Sequence, residues 1–86
     1  MKLGKVIGTV VTVREVSQYR GCKLLLVQEI DENGAQIDEP LVAIDTVDAG
    51  VGSAVFFVTA REAAMAMPGR SFPADAAIVG IVEETR

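Results

Sequence analysis

Apolar side chains along this chain occur in short runs that are rich in Val and Ile and are separated by Gly, Pro, Asn or Asp. Runs of this length with such boundaries are typical of β-strands. They predict five strands, at residues 2–13, 22–30, 41–45, 54–59 and 76–83. The first two runs carry apolar residues on both faces, which indicates strands that are covered on both sides or that bend.

Turn residues and one helical segment complete the pattern. Residues 31–34, Asp-Glu-Asn-Gly, form the strongest turn signal, because Asn-Gly supplies the positive φ angles of a tight turn. Residues 60–67 are rich in Ala and Met and stop at a Pro-Gly pair, which predicts a short helix. Five strands with one short helix between the fourth and fifth predict an all-β fold. We expect a five-stranded, OB-like closed barrel in a single domain of residues 1–86.

The composition indicates, in addition, that this domain associates with a partner. Half of the 86 residues are hydrophobic, and the mean hydropathy is +0.37. A domain this small buries a modest share of its surface, so it has little interior for so much apolar side chain. The excess favours a subunit whose apolar surface is covered by another copy over a monomer.

Charge and residue types exclude several function classes. The net charge is −4 and the eight basic residues are scattered, whereas nucleic-acid binding needs a clustered basic surface. No apolar run approaches the length of a membrane span. We therefore expect neither nucleic acid nor a membrane as partner. The chain lacks histidine, the commonest general base and metal ligand, so we expect no enzymatic activity, metal or cofactor.

The single cysteine, Cys22, allows no internal disulfide, and an odd thiol fits the reducing cytoplasm. Cys22 precedes Lys23, and a nearby cation can lower a thiol pKa. Neighbours in a strand point to opposite faces, however, so a small buried hydrophobe is the favoured reading.

Two acidic or glycine-bearing segments could carry chemistry. Residues 48–52 contain a Gly-x-Gly, but no helix follows to hold a phosphate, and a tight inter-strand loop is favoured. Asp45 and Asp48 could form an acid–base pair, although an Asp at a strand end more often satisfies backbone N–H groups. The acids around residues 31–39 favour a solvated hairpin tip over a calcium loop.

Four segments, in this order, carry a resemblance to a known family. They are Met1–Val11 (MKLGKVIGTVV), Lys23–Val27 (KLLLV), Asp45–Gly52 (DTVDAGVG) and Pro73–Val82 (PADAAIVGIV). Together they resemble the EutN/CcmL group, the vertex proteins of carboxysomes and ethanolamine-utilisation microcompartments. The resemblance implies a five-stranded OB-like barrel with a short helix, which agrees with the fold predicted above.

The resemblance also implies a role. Members form homopentamers that occupy the five-fold vertices of a bacterial microcompartment shell, beside hexameric shell proteins, in the cytoplasm. A structural shell subunit is therefore expected. The alternative is an OB-type binding module for single-stranded nucleic acid or oligosaccharide, which would use aromatic stacking on a basic groove.

The resemblance further implies an axial or pore loop near the five-fold axis. Its residues here are Asp48, Ala49, Gly50, Val51 and Gly52. The family usually has Gly-Ala-Gly at the start of this loop, so Asp48 is a departure. Five carboxylates close to an axis would repel one another unless they are solvated or paired.

Overall fold

A computed structural model describes residues 1–10, 23–62 and 74–82, and shows the predicted closed barrel. The strands are β1 Lys2–Thr9, β2 Lys23–Glu29, β3 Leu41–Asp45, β4 Ala54–Thr59 and β5 Ala76–Ile81. Around the barrel they follow the order β1-β2-β3-β5-β4, and β4 pairs with β1 to close it. The β3–β5 pair is parallel and the other four pairs are antiparallel.

The predicted strand boundaries agree with the structure in the middle of the chain and differ at the two ends. β3 and β4 begin and end where the sequence predicts. β1 was predicted to reach residue 13 but ends at Thr9; residues 11–13 lie outside the described residues. β2 ends at Glu29, one residue before its predicted end, and the next residue, Ile30, makes an isolated bridge to Gln36 outside the strand. β5 ends at Ile81.

The core is filled by inward-facing side chains from all five strands. The largest fully buried side chains are those of Phe57, Leu25, Ile78, Val6, Val27 and Val55. Gly4 of β1 lies directly over this core: a Cβ there would lie 2.6 Å from Val27 Cγ1 and 2.9 Å from Phe57 Cε1. The absence of a side chain at Gly4 therefore lets β1 approach the barrel interior closely.

The predicted turn between β2 and β3 is confirmed, although Gly34 has a positive φ and Asn33 does not. Gly34 has a φ of 84°, and its N–H donates to the carbonyl of Asp31 at 3.0 Å. The Asp31 carboxylate accepts from the N–H groups of Asn33 and Ala35 at 2.8 and 2.9 Å. Short-range bonds of this kind hold an Asx-type turn without any help from the barrel.

After β4 the chain enters a helical turn at residues 60–62, and the rest of the predicted helix, 63–67, lies outside the described residues. Thr59 and Glu62 cap this turn reciprocally: Glu62 N–H donates to Thr59 Oγ1 at 3.3 Å, and Thr59 N–H donates to Glu62 Oε1 at 3.2 Å. The Thr59 N–H lowers the pKa of Glu62. Among the described residues no helix is both long and apolar enough to cross a membrane.

Candidate functional site

The loop between β3 and β4, residues 46–52, is held firmly at both ends. At its start, Thr46 Oγ1 donates to the carbonyl of Ile78 at 2.6 Å. At its end, the N–H of Gly52 donates to the carbonyl of Val6 at 2.9 Å. Bonds to β5 on one side and β1 on the other fix the loop across the mouth of the barrel.

The middle of the loop turns one residue inward and the next two outward. Ala49 is 1% exposed and belongs to the core cluster, whereas Val51 is 63% exposed. Gly50 is exposed, and a Cβ there would meet no atom of the described chain within 4 Å. The N–H of Ser53 donates back to Gly50 at 2.9 Å, so this is a tight turn. β4 follows it directly, which does not suit a phosphate cradle.

A lysine on the neighbouring strand holds the loop from the side. Lys23 Nζ donates to the carbonyl of Ala49 at 2.6 Å and to Asp48 Oδ1 at 3.3 Å. It also lies 3.4 Å from Asp45 Oδ2. One ammonium group thus contacts two carboxylates and a backbone carbonyl of the same segment.

The two carboxylates differ greatly in their surroundings. The side chain of Asp45 is fully buried, while that of Asp48 is 97% exposed. Asp45 Oδ1 accepts from the N–H of Val47 at 3.0 Å, as expected for an Asp at a strand end. Asp45 Oδ2 accepts no hydrogen bond within the described part of the chain, so Lys23 is its charge partner.

Charge pairing changes the titration of Lys23. The hydrogen bond to Asp48 raises the pKa of Lys23, and the Asp45 carboxylate acts in the same direction, while partial burial opposes both. Lys23 is therefore a stable cation across the physiological range.

Asp48 adopts a left-handed backbone conformation, with a φ of 60°. Asp tolerates this region better than most residues other than Gly and Asn. Asp48 thus takes a backbone conformation that is commonest for Gly and adds a charge there. Its pairing with Lys23 compensates that charge.

Sequence reasoning singled out Asp45 and Asp48 but missed Lys23 as their partner. The structure brings all three together because Lys23 and Asp45 are opposite residues in the β2–β3 ladder. The available signal was a cation at the start of one strand and an acid at the end of the next. Cys22, the other candidate in this region, lies outside the described residues.

Apolar side chains also remain exposed on the outside of the barrel. Phe56 of β4 is 40% exposed and lies between Leu3 of β1 and Gly80 of β5 in the two flanking ladders. Ile7, Val79 and Ile81 are 43–45% exposed. We refer to Ile7, Phe56 and Val79, on strands β1, β4 and β5, as the apolar outer face; it agrees with the surface excess that the composition predicted. Ile81 lies opposite the buried Val55 in the β4–β5 ladder, so it belongs to the inward-facing side of the sheet.

The chemistry available elsewhere is limited. Within residues 1–10, 23–62 and 74–82, no group of three or more potential metal ligands lies close enough together to hold a metal ion. Phe57 is fully buried, and Tyr19 and Phe72 lie outside the described residues. Among the aromatic residues that the structure describes, Phe56 alone is exposed enough to contact a partner.

The comparison with known proteins agrees with this fold. The family described as ethanolamine utilisation protein EutN/carboxysome matches residues 1–83. This chain belongs to the EutN/CcmL family. The carboxysome shell vertex protein CcmL of Synechocystis sp. is 37% identical over 83 residues, covering 96% of this chain and 83% of that protein. The shell vertex protein EutN of Escherichia coli is 36% identical over 84 residues, covering 98% and 88%.

A solved structure supports the same relationship. The GrpN pentameric microcompartment shell protein from Rhodospirillum rubrum superimposes with a TM-score of 0.78 at 38% identity. The alignment covers 100% of this chain and 98% of that protein.

Proposed function

We propose that this chain is a structural subunit of a bacterial microcompartment shell, in which it forms a homopentamer that caps the five-fold vertices. Residues 1–86 act as one barrel domain in this role. Its partners are further copies of itself and the hexameric proteins of the shell facets, within the cytoplasm. Its contribution is geometric rather than catalytic, because flat six-fold tiles need five-fold positions to close into a polyhedron.

The apolar outer face is the observation that carries this proposal. Phe56 and Val79 lie exposed on the adjacent strands β4 and β5. Side chains of this kind cluster at subunit interfaces, where their burial supplies the energy of association. In a ring, such a face meets a different surface of the next subunit, which is the heterologous contact of cyclic symmetry.

The loop of residues 46–52 also supports the proposal. We place Asp48, Ala49, Gly50, Val51 and Gly52 beside the five-fold axis, as the axial loop of the ring. Gly50 is exposed and has open space around it in the single chain, which leaves room for the loops of neighbouring subunits. Ala49 ties the loop to the core and so fixes how far it projects.

The binding-module alternative has no support among these relatives, which are named as shell vertex proteins. The cluster of two carboxylates and one lysine beside the axial loop is also a poor match for a phosphate backbone. A structural role therefore accounts for more of the molecule than ligand binding does.

Co-expression with hexameric microcompartment shell proteins tests this function. Electron microscopy of the assemblies should show closed polyhedral particles when the chain is present, and open sheets, tubes or uncapped particles when it is omitted. Closed particles of equal number and shape without the chain would contradict a vertex role. A Phe56→Asp variant, which places a charge on the apolar outer face, should behave like the omission.

A further inference from the structure

Three groups of the axial segment converge on a single cation. Lys23 Nζ lies 2.6 Å from the carbonyl oxygen of Ala49, 3.3 Å from Asp48 Oδ1 and 3.4 Å from Asp45 Oδ2. Asp45 belongs to the barrel wall, whereas Asp48 and Ala49 belong to the loop. The ammonium group therefore connects the rigid wall of the barrel with the part of the chain that projects from it.

Asp45 explains why the lysine stays in this place. Its side chain is fully buried, and within the described residues its Oδ2 atom accepts no hydrogen bond. A buried carboxylate without a positive partner is strongly unfavourable. Asp45 therefore retains Lys23 at the mouth of the barrel even if Asp48 is removed.

We propose that Lys23 is the positioning residue of the axial loop: Asp45 anchors its ammonium group, which in turn holds Asp48 and the carbonyl of Ala49. The contacts lie within one chain, and their meaning for a ring rests on the proposed function. In a pentamer the same lysine offsets the charge of Asp48, where five unpaired carboxylates around an axis would repel. Lys23 is thus the residue that makes an acid acceptable at this position.

A double variant isolates this role. Lys23→Met combined with Asp45→Asn removes both charges, so no unpaired carboxylate is left in the barrel. Amide hydrogen exchange at Gly50, Gly52 and Ser53 should become about tenfold faster than in the unaltered protein, because a charged hydrogen bond has been lost. Exchange in the centre of β4 should not change. Equal loop rates in the two proteins would overturn the proposal.

A matched control removes a different ion pair of the same barrel. Lys2 Nζ lies 3.7 Å from Glu29 Oε1, in a pair between β1 and β2. The double variant Lys2→Met with Glu29→Gln should leave exchange in the axial loop unchanged. An equal acceleration in this control would show a general loosening of the barrel and would overturn the role given to Lys23.

The unaltered protein offers a second test that needs no variant to fold. Salt screens exposed charge pairs, so raising the ionic strength to about 0.5 M should speed loop exchange by roughly two- to threefold, with β4 unaffected. Loop rates that are independent of salt would contradict an electrostatic tether.

These tests separate the inference from the proposed function. A protein that is monomeric in native mass spectrometry, yet has Lys23-dependent loop exchange, would uphold the inference and contradict the pentamer. A pentamer whose loop exchange is indifferent to Lys23 would overturn the inference and leave the vertex role standing.

Discussion

Two connections of the barrel lie wholly within the described residues: the hairpin tip at residues 31–39, and the loop at 46–52 that contains the proposed axial residues. They use similar backbone geometry for different ends. Each contains one glycine and one aspartate with positive φ: Gly34 and Asp38 in the tip, Gly52 and Asp48 in the loop. Each is also held by a side chain from β2. Gln28 Nε2 donates to the carbonyl of Asp38 at 3.0 Å, whereas Lys23 reaches the axial loop.

The difference between the two lies in what they bury and how their charge is treated. Residues 32–36 at the tip are all exposed, and their acids are free to be solvated. The axial loop inserts Ala49 into the core and pairs Asp48 with a lysine. A segment that only needs to stay soluble can keep its charges in water. A segment that approaches copies of itself, as we propose for the loop at 48–52, benefits from a fixed position and compensated charge.

Substituting one alanine in each connection should produce the largest difference between the two connections, measured as the change in the free energy of unfolding. Ala49→Asp places a carboxylate in the core and should lower the free energy of unfolding by about 3 kcal/mol or more. Ala35→Asp, at an exposed position of the tip, should change it by less than about 0.5 kcal/mol. Chemical denaturation at one fixed protein concentration measures both. Equal effects would mean that Ala49 is not part of the core.

A bulky residue at the exposed point of each connection tests assembly instead of folding. A Cβ at Gly50 would meet no atom of the described chain within 4 Å, so a subunit with Gly50→Leu should fold normally. If five loops meet at an axis, the added side chain should raise the concentration needed for ring formation by roughly tenfold or more. Glu32→Leu is the matched control in the hairpin tip and should assemble normally. Analytical ultracentrifugation reads both, and unimpaired rings with Gly50→Leu would place the loop away from the axis.

The two glycines with left-handed backbone conformation should lose similar amounts of stability when each is replaced by alanine. Gly34→Ala and Gly52→Ala each force a Cβ into a conformation that costs about 1–2 kcal/mol, and neither Cβ would meet a neighbouring atom. Similar losses of stability in thermal unfolding are therefore expected. A much larger loss for Gly52→Ala in the assembled protein alone would reveal an additional contact with a neighbouring subunit.

The smallest expected effect is a dependence of protein stability on alkaline pH, which arises from Lys23 beside the axial loop. Because Asp48 and Asp45 raise the pKa of Lys23, the folded state holds this proton more tightly than the unfolded state. The resulting stability is fully present below the ordinary lysine pKa of 10.5 and is lost as the pH rises through the raised value.

Asp48→Asn, which tolerates the same backbone conformation, should reduce this alkaline loss of stability. Glu32→Gln in the hairpin tip should leave it unchanged, because Glu32 is exposed and solvated. Denaturation midpoints measured from pH 8 to about pH 11 compare the three proteins. If Asp48→Asn loses as much stability at alkaline pH as the unaltered protein does, Asp48 does not hold Lys23 in solution.

The same two connections show how far sequence reasoning reached. Asn33-Gly34 has a local preference that survives in any context, so the tip was predictable, as were the strands bounded by Pro40 and Gly52. The pairing of Lys23 with Asp45 was not, because it depends on the β2–β3 register. A ten-residue connection between the strands, 31–40, leaves several registers open, and core packing selects one.

Phe56 and Phe57 of β4 are a second case in which strand pairing decides what the sequence leaves open. The alternation of a strand places Phe56 and Phe57 on opposite faces, but it does not say which of them points to the core. Only the pairing of β4 with β1 and β5 decides that Phe57 fills the barrel and Phe56 lies outside.

Native mass spectrometry of the purified protein is the most direct test of a five-fold vertex subunit. The account predicts one dominant species of five 9.1 kDa chains, about 46 kDa, that forms without added ligand. A stable six-fold ring would contradict the vertex position, and a monomer at micromolar concentration would contradict the role given to the apolar outer face.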